Sequence, residues 1–136
     1  MKIILATGVP ELDSAIEASI KNVTFLGSAL YKEAVVDVVQ RKKPDVVILS
    51  ELLEGVTPMR ELILTLRTRF PEVRIIYILK DEHPKEKAFL YHWMIFDVFA
   101  GTFTVPQLAK SLHNPKEFKD VHHELEILKQ YSKDPE

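Results

Sequence analysis

Short, almost uninterrupted apolar runs, separated by longer segments of helical spacing, constrain this chain more than any other feature. KIILA (Lys2–Ala6), NVTFLG (Asn22–Gly27), DVVIL (Asp45–Leu49), VRIIYIL (Val73–Leu79) and FDVFA (Phe96–Ala100) each have the length of a strand. Runs such as KIILA show none of the polar alternation of a strand with one wet face, so burial on both faces is expected. Between the runs, Leu12, Ile16 and Ile20 form an inner stripe after Pro10. Ala34, Val35, Val38 and Val39 do the same from Tyr31 to Lys42, as do Leu62, Ile63 and Leu66 from Met59 to Phe70. Pro84 to about Trp93 and Pro106 to His113 supply two more helices. Pro10 suits a first helical turn, and Pro44 and Pro71 stop the helices before them. Strands alternating with helices in this way specify an α/β fold, a doubly wound five-stranded parallel sheet covered on both faces.

Composition narrows the class further. A chain of 136 residues suits one domain with a real core. With no cysteine, disulfides, thiolate metal sites and cysteine nucleophiles are excluded, which fits a reducing, cytoplasmic setting. The net charge of -2 gives no clustered positive field for nucleic acid. Arg41, Lys42 and Lys43, the densest basic run, read as a helix C-terminus favoured by the dipole. MKIILATGVP is too short in its apolar part for a signal peptide, and Phe89–Phe103 is broken by His92 and Asp97, so no membrane span is expected.

After Pro115 the pattern changes. Phe118, Val121, Leu125 and Leu128 recur at helical spacing amid dense charge. Residues 1–114 therefore read as the domain, and 115–136 as a charged amphipathic C-terminal helix. That helix either packs on the domain or serves as a connector or self-association element.

In parallel α/β sheets function gathers outside the carboxyl ends of the strands. Those ends are Thr7-Gly8, Gly27-Ser28, Ser50-Glu51, Lys80-Asp81 and Gly101-Thr102. Here KIILATGVPEL, KPDVVILSELLEGVTPMREL and FDVFAGTFTVPQLAKSL together resemble the response-regulator receiver family over roughly residues 1–113. The resemblance implies the flavodoxin-like strand order 2-1-3-4-5. It also implies a reaction: a carboxylate after the third strand takes a phosphoryl group with Mg²⁺ held by an acidic pair after the first. A hydroxyl after the fourth strand and a lysine after the fifth complete the set. Carried over by position, the acidic pair falls on Thr7 and Gly8, the acceptor on Ser50, the sensing hydroxyl on Lys80 and the lysine on Gly101. Every chemical position departs from the family pattern while the scaffold phrases survive.

Replacement chemistry is weakly supported. Glu11, Glu51, Glu54 and Asp81 lie near this edge, but solvated loop carboxylates explain them without a metal. Ser50 with His83 lacks a third member or elbow motif, so no catalytic residue is assigned. Lys80 is expected to pair with Asp81 or Glu51, or alternatively to hold an anionic ligand. Gly8 lacks the further glycines of a dinucleotide turn, and no cofactor is expected. His122 and Glu126, one helical turn apart, read as a surface pair.

Six aromatics crowd into Phe89–Phe103, and not all of them can point inward. Phe89, Tyr91, Trp93 and Phe103 are taken as an interaction surface, with Tyr91 and Trp93 the candidates for exposure. In receivers the face of the fourth helix, fifth strand and fifth helix is the usual dimerisation and output surface. The expectation is thus a phosphorylation-independent pseudo-receiver, not an enzyme. It would act by docking a protein partner or a second copy on that face, with no nucleic-acid or membrane partner. Similar domains precede partition-type (ParA/MinD class) ATPases in pilus assembly. The alternatives are a receiver that still binds phosphate, Mg²⁺ or a small anion, and an α/β enzyme of another kind.

Overall fold

The computed structural model describes residues 1–132. β1 (Lys2–Ala6), α1 (Pro10–Ser19), β2 (Thr24–Ser28), α2 (Lys32–Lys42), β3 (Val46–Ser50), α3 (Met59–Arg69), β4 (Arg74–Leu79), α4 (Pro84–His92), β5 (Asp97–Ala100) and α5 (Val105–His113) alternate. α6 (Phe118–Ser132) follows them. The expected C-terminal segment ends in residues 133–136, which lie outside the described residues. The strands are parallel in the order β2-β1-β3-β4-β5, the doubly wound topology expected from the sequence.

Alternation along each strand divides the core in two. Ile4, Ala6, Val47, Leu49, Ile75, Tyr77 and Leu79 meet Val35 and Val39 of α2 and Leu62, Ile63 and Leu66 of α3. Ile3, Leu5, Val46, Ile48, Ile76 and Ile78 meet Ile16 of α1 and Leu108 and Leu112 of α5. The continuous apolar character of β1, β3 and β4 follows directly, because both sides of each strand are covered. β2 lies at the sheet margin and stays half-exposed, which is why its run is the weaker one.

Local chemistry sets the ends. Thr104 and Gln107 form a reciprocal capping box on α5, and the His83 ring nitrogen Nδ1 accepts the Glu86 N–H at the start of α4. Lys43, in the left-handed region, closes α2 ahead of Pro44. Several boundaries shift by a residue or two from the sequence reading, two of them for clear reasons. β2 starts at Thr24 because Asn22 adopts a positive φ of 64°. β3 runs one residue further than expected, since Ser50 still pairs with Ile78. No helix among the described residues is long and apolar enough to cross a membrane.

A third cluster joins α6 to α4. Val121 and Leu128 bury against Ala88 and Tyr91, with Phe96, Val98 and Leu125 packed around them. The helix after Pro115 is therefore docked along the domain, one of the two arrangements its stripe allowed.

Candidate functional site

The carboxyl edge brings Thr7, Gly8, Ser50, Lys80 and Gly101 to one end of the sheet, as the strand endings required. Thr7, Ser50 and Gly8 are engaged in ways that leave little for chemistry. Thr7 is fully buried; its hydroxyl donates to the Asp13 carboxylate at 2.5 Å and accepts the Val9 N–H at 3.1 Å. It thereby steers the chain into α1. Ser50 is 1% exposed, and its Oγ accepts the Leu52 N–H at 3.1 Å while its carbonyl accepts the Leu53 N–H. This is a local serine turn, in which the hydroxyl replaces a backbone acceptor.

Gly8 decides the most. Its φ is +72°, and a Cβ placed there would lie 2.8 Å from Leu53 Cα and 2.9 Å from the Leu52 carbonyl oxygen. Both obstacles are backbone, so no rotamer change relieves them. The room that a side chain after β1 would need is filled by the β3–α3 loop, with Leu53 buried beneath it. Gly101, by contrast, has φ +70° and open space where a Cβ would stand.

Lys80 and Glu51 do meet, but not as an ion pair. The backbone N–H of Lys80 donates to the Glu51 carboxylate, and the Lys80 ammonium has no carboxylate within 4.0 Å among the described residues. His83 serves as the cap of α4, so the Ser50–His83 pairing does not form. Receiver chemistry would call for Mg²⁺ at this edge. The oxygens of Thr7 and Ser50 are committed to short-range bonds and Gly8 admits no carboxylate, so the donors present do not fit that ion. No group of three or more His, Asp or Glu side chains is placed to hold a metal among the described residues.

The four aromatics expected to form one surface are dispersed. Tyr91 is 3% exposed, against the expectation; α6 covers it, and its hydroxyl donates to Glu124 at 3.0 Å. Burial, reinforced by the Glu124 charge, pushes the Tyr91 phenol well above the usual range. Phe89 lies half-buried against the α2–α3 cluster under the Arg60 guanidinium, 4.4 Å from its ring centroid. Trp93 is half-buried at the end of α4, edge-on to His92. Phe103 packs with Phe99 on the opposite core, ring centroids 5.2 Å apart. Because α6 occupies the α4 side, the open part of the expected face is β5 with α5. A groove of about 310 Å³ lies there, lined by Val98, Phe99, Gln107, Lys110, Ser111 and Lys116 among others.

The sequence reading missed the main polar cluster, at the amino end of the sheet. Asp97, 4% exposed, pairs with Arg74 at 2.9 Å and accepts from Ser111 Oγ and the Lys116 N–H. Arg74 also donates to the carbonyls of Ser111 and Leu112. The available signal was an acid and a base opening neighbouring strands, in chains otherwise apolar.

Neither a protein-family model nor a curated protein matches the sequence. Solved structures do. The isolated receiver domain of RcsB from Salmonella enterica serovar Typhimurium, with a phosphomimetic, aligns at TM-score 0.75 and 20% identity, covering 90% of this chain and 96% of that one. The RcsB response regulator of Salmonella typhimurium, in a structure described for its DNA interaction, aligns at TM-score 0.74 and 19% identity over 99% of this chain and 71% of that one. An orphan response regulator of H. pylori aligns at TM-score 0.71 with only 12% identity, over 83% and 93%. The chain has the fold of response-regulator receiver domains.

Proposed function

We propose that this chain is a phosphorylation-independent, receiver-like module of a signalling or assembly system, working by protein–protein docking and not as an enzyme. One observation carries the reading. The space after β1 where a receiver needs an acidic side chain is filled by the Leu52–Leu53 backbone. Ser50, at the acceptor's place, is buried with its oxygen bonded locally, and no side-chain base hydrogen-bonds to it among the described residues. The fold is kept and its reactive groups are gone, which favours a scaffold role in the cytoplasm without cofactors.

The partner surface consistent with this reading is the β5–α5 groove, since α6 takes the α4 flank. The likeness of the sequence to domains that precede partition-type ATPases suggests an assembly context, by analogy only. Incubation with Mg²⁺ and acetyl phosphate or beryllofluoride, read by intact mass and amide NMR shifts, tests the proposal. Unchanged mass and spectra are expected. A mass gain or shifts around Ser50 would overturn it.

A second reading rests on the unpaired Lys80 ammonium, which could hold a small anion at the same edge. Titration with inorganic phosphate alone separates the two. Saturable shifts at Lys80, lost in Lys80→Ala, favour the anion reading.

A further inference from the structure

We propose that the two loops at the β2–β3 side of the carboxyl edge form a docking surface for a basic amphipathic segment of a partner protein. The surface is distinct from the β5–α5 groove and holds whether or not Ser50 can accept a phosphoryl group. Four of the large apolar side chains that stay exposed lie on these loops: Val56 at 94%, Leu30 at 66%, Tyr31 at 55% and Leu52 at 47%. Exposed apolar groups scattered singly need no explanation, but a concentration on adjoining loops does.

The loops are held side by side by backbone contacts. Tyr31 and Glu54 form a parallel bridge, and the Lys32 N–H donates to the Glu54 carbonyl at 2.8 Å. The Thr57 N–H donates to the Glu33 carboxylate at 2.8 Å, and Gly55 sits so close to that carboxylate that a Cβ would lie 2.6 Å from Glu33 Oε1. Gly55 also holds a φ of +137°, a backbone conformation that side chains rarely adopt. The display is thus built, not a floppy excursion. The same loop sends Leu53 inward to close the space beside Gly8, which leaves Leu52 and Val56 on the outer side.

Charge selects the occupant. Glu33, Glu51 and Glu54 are exposed on these loops and the start of α2, against Lys32 there and Lys80 beside Glu51, so acids outnumber bases. An anionic membrane or nucleic acid would be repelled by such a rim. A second copy docking symmetrically would set carboxylates against carboxylates. A segment with leucine-like residues on one face and lysine or arginine on the other matches both the apolar centre and the acidic rim.

The test uses the full chain, isotope-labelled, titrated with a synthetic Leu/Lys peptide written at helical spacing. Saturable amide shifts at Leu30–Lys32 and Leu52–Thr57, weakening with salt, are expected. Tyr31→Ser with Val56→Ser should weaken binding by about tenfold, with the thermal midpoint unchanged because both residues are exposed. The proposal is overturned if the shifts fall elsewhere, if the double variant binds as well, or if a Leu/Glu peptide of the same pattern binds equally. Shifts of these residues on concentrating the protein alone would assign the surface to a second copy. Shifts with phosphatidylglycerol vesicles would assign it to a membrane, and either result overturns the proposal.

Discussion

At the carboxyl end of the sheet, the oxygens of Thr7 and Ser50 bond within their own turns, and Glu51 takes a backbone amide. At the amino end, Arg74 and Asp97 make a shielded ion pair that also binds Ser111, Leu112 and Lys116, joining β4, β5, α5 and the approach to α6. The two ends use polar groups for opposite purposes. The hydroxyl bonds of Thr7 and Ser50 close turns within a few residues of themselves. A buried pair shared by four segments makes each depend on the rest. In this molecule the hydroxyls of the carboxyl end serve their own turns, while the ion pair of the amino end ties distant segments together.

The largest expected effect breaks the amino-end pair. Asp97→Ala strands the Arg74 guanidinium, 19% exposed, and should cost about 3 kcal/mol in urea denaturation. A loss below about 1 kcal/mol would place the pair with ordinary surface ion pairs and erase the contrast. Next, Gly8→Asp restores an acid at the carboxyl edge. Its Cβ meets Leu53 backbone at a positive φ, so about 2 kcal/mol of destabilisation and no gain in Mg²⁺ affinity are expected. A wild-type midpoint would mean that the loop yields, and that this edge is less closed than its packing implies.

The smallest effect lies between the two ends. Tyr91→Phe removes the hydroxyl bonded to Glu124 and should cost about 1 kcal/mol, with faster amide exchange confined to α6 and α4. The same contact has a pH signature. Burial raises the Glu124 carboxyl, but the Lys87 ammonium at 2.6 Å and the Tyr91 hydroxyl outweigh it, so its folded pKa is depressed. Support for α6 from this group is therefore complete above the unfolded carboxyl value of about 4.3, and is lost as pH falls through the folded value. Amide shifts of α6 followed through acid titration check the sign.

Much of this architecture was legible in the residues. The runs at Lys2–Ala6, Asp45–Leu49 and Val73–Leu79 are apolar because both faces are covered, and that alone pointed to a parallel sheet. The prolines marked helix ends by their own stereochemistry, whereas the Thr104 capping box emerged only in the structure. The carboxyl-edge residues were found because topology dictates where strand ends lie. What one sequence could not show was long-range partnership. Asp97 looked like an interruption of an apolar stretch, since its partner Arg74 is 23 residues away. Tyr91 looked free because its cover, α6, arrives 33 residues later at Glu124. Gly8 was read as the place of a missing acid, but nothing in local sequence reveals that Leu53 will lie against it.

The burial of Tyr91 has a practical consequence: it gives α6 an optical clock. An ordinary phenol ionises near pH 10. Tyr91 resists ionisation because of burial and the adjacent Glu124 charge, and Tyr77, deep in the sheet, resists for the same first reason. After a rapid jump to alkaline pH, phenolate absorbance from Tyr91 is expected to grow as α6 lifts from α4 and that from buried Tyr77 more slowly, with Tyr91→Phe identifying the first phase. The rate of that phase measures, in unlabelled protein, how often the last helix leaves its seat.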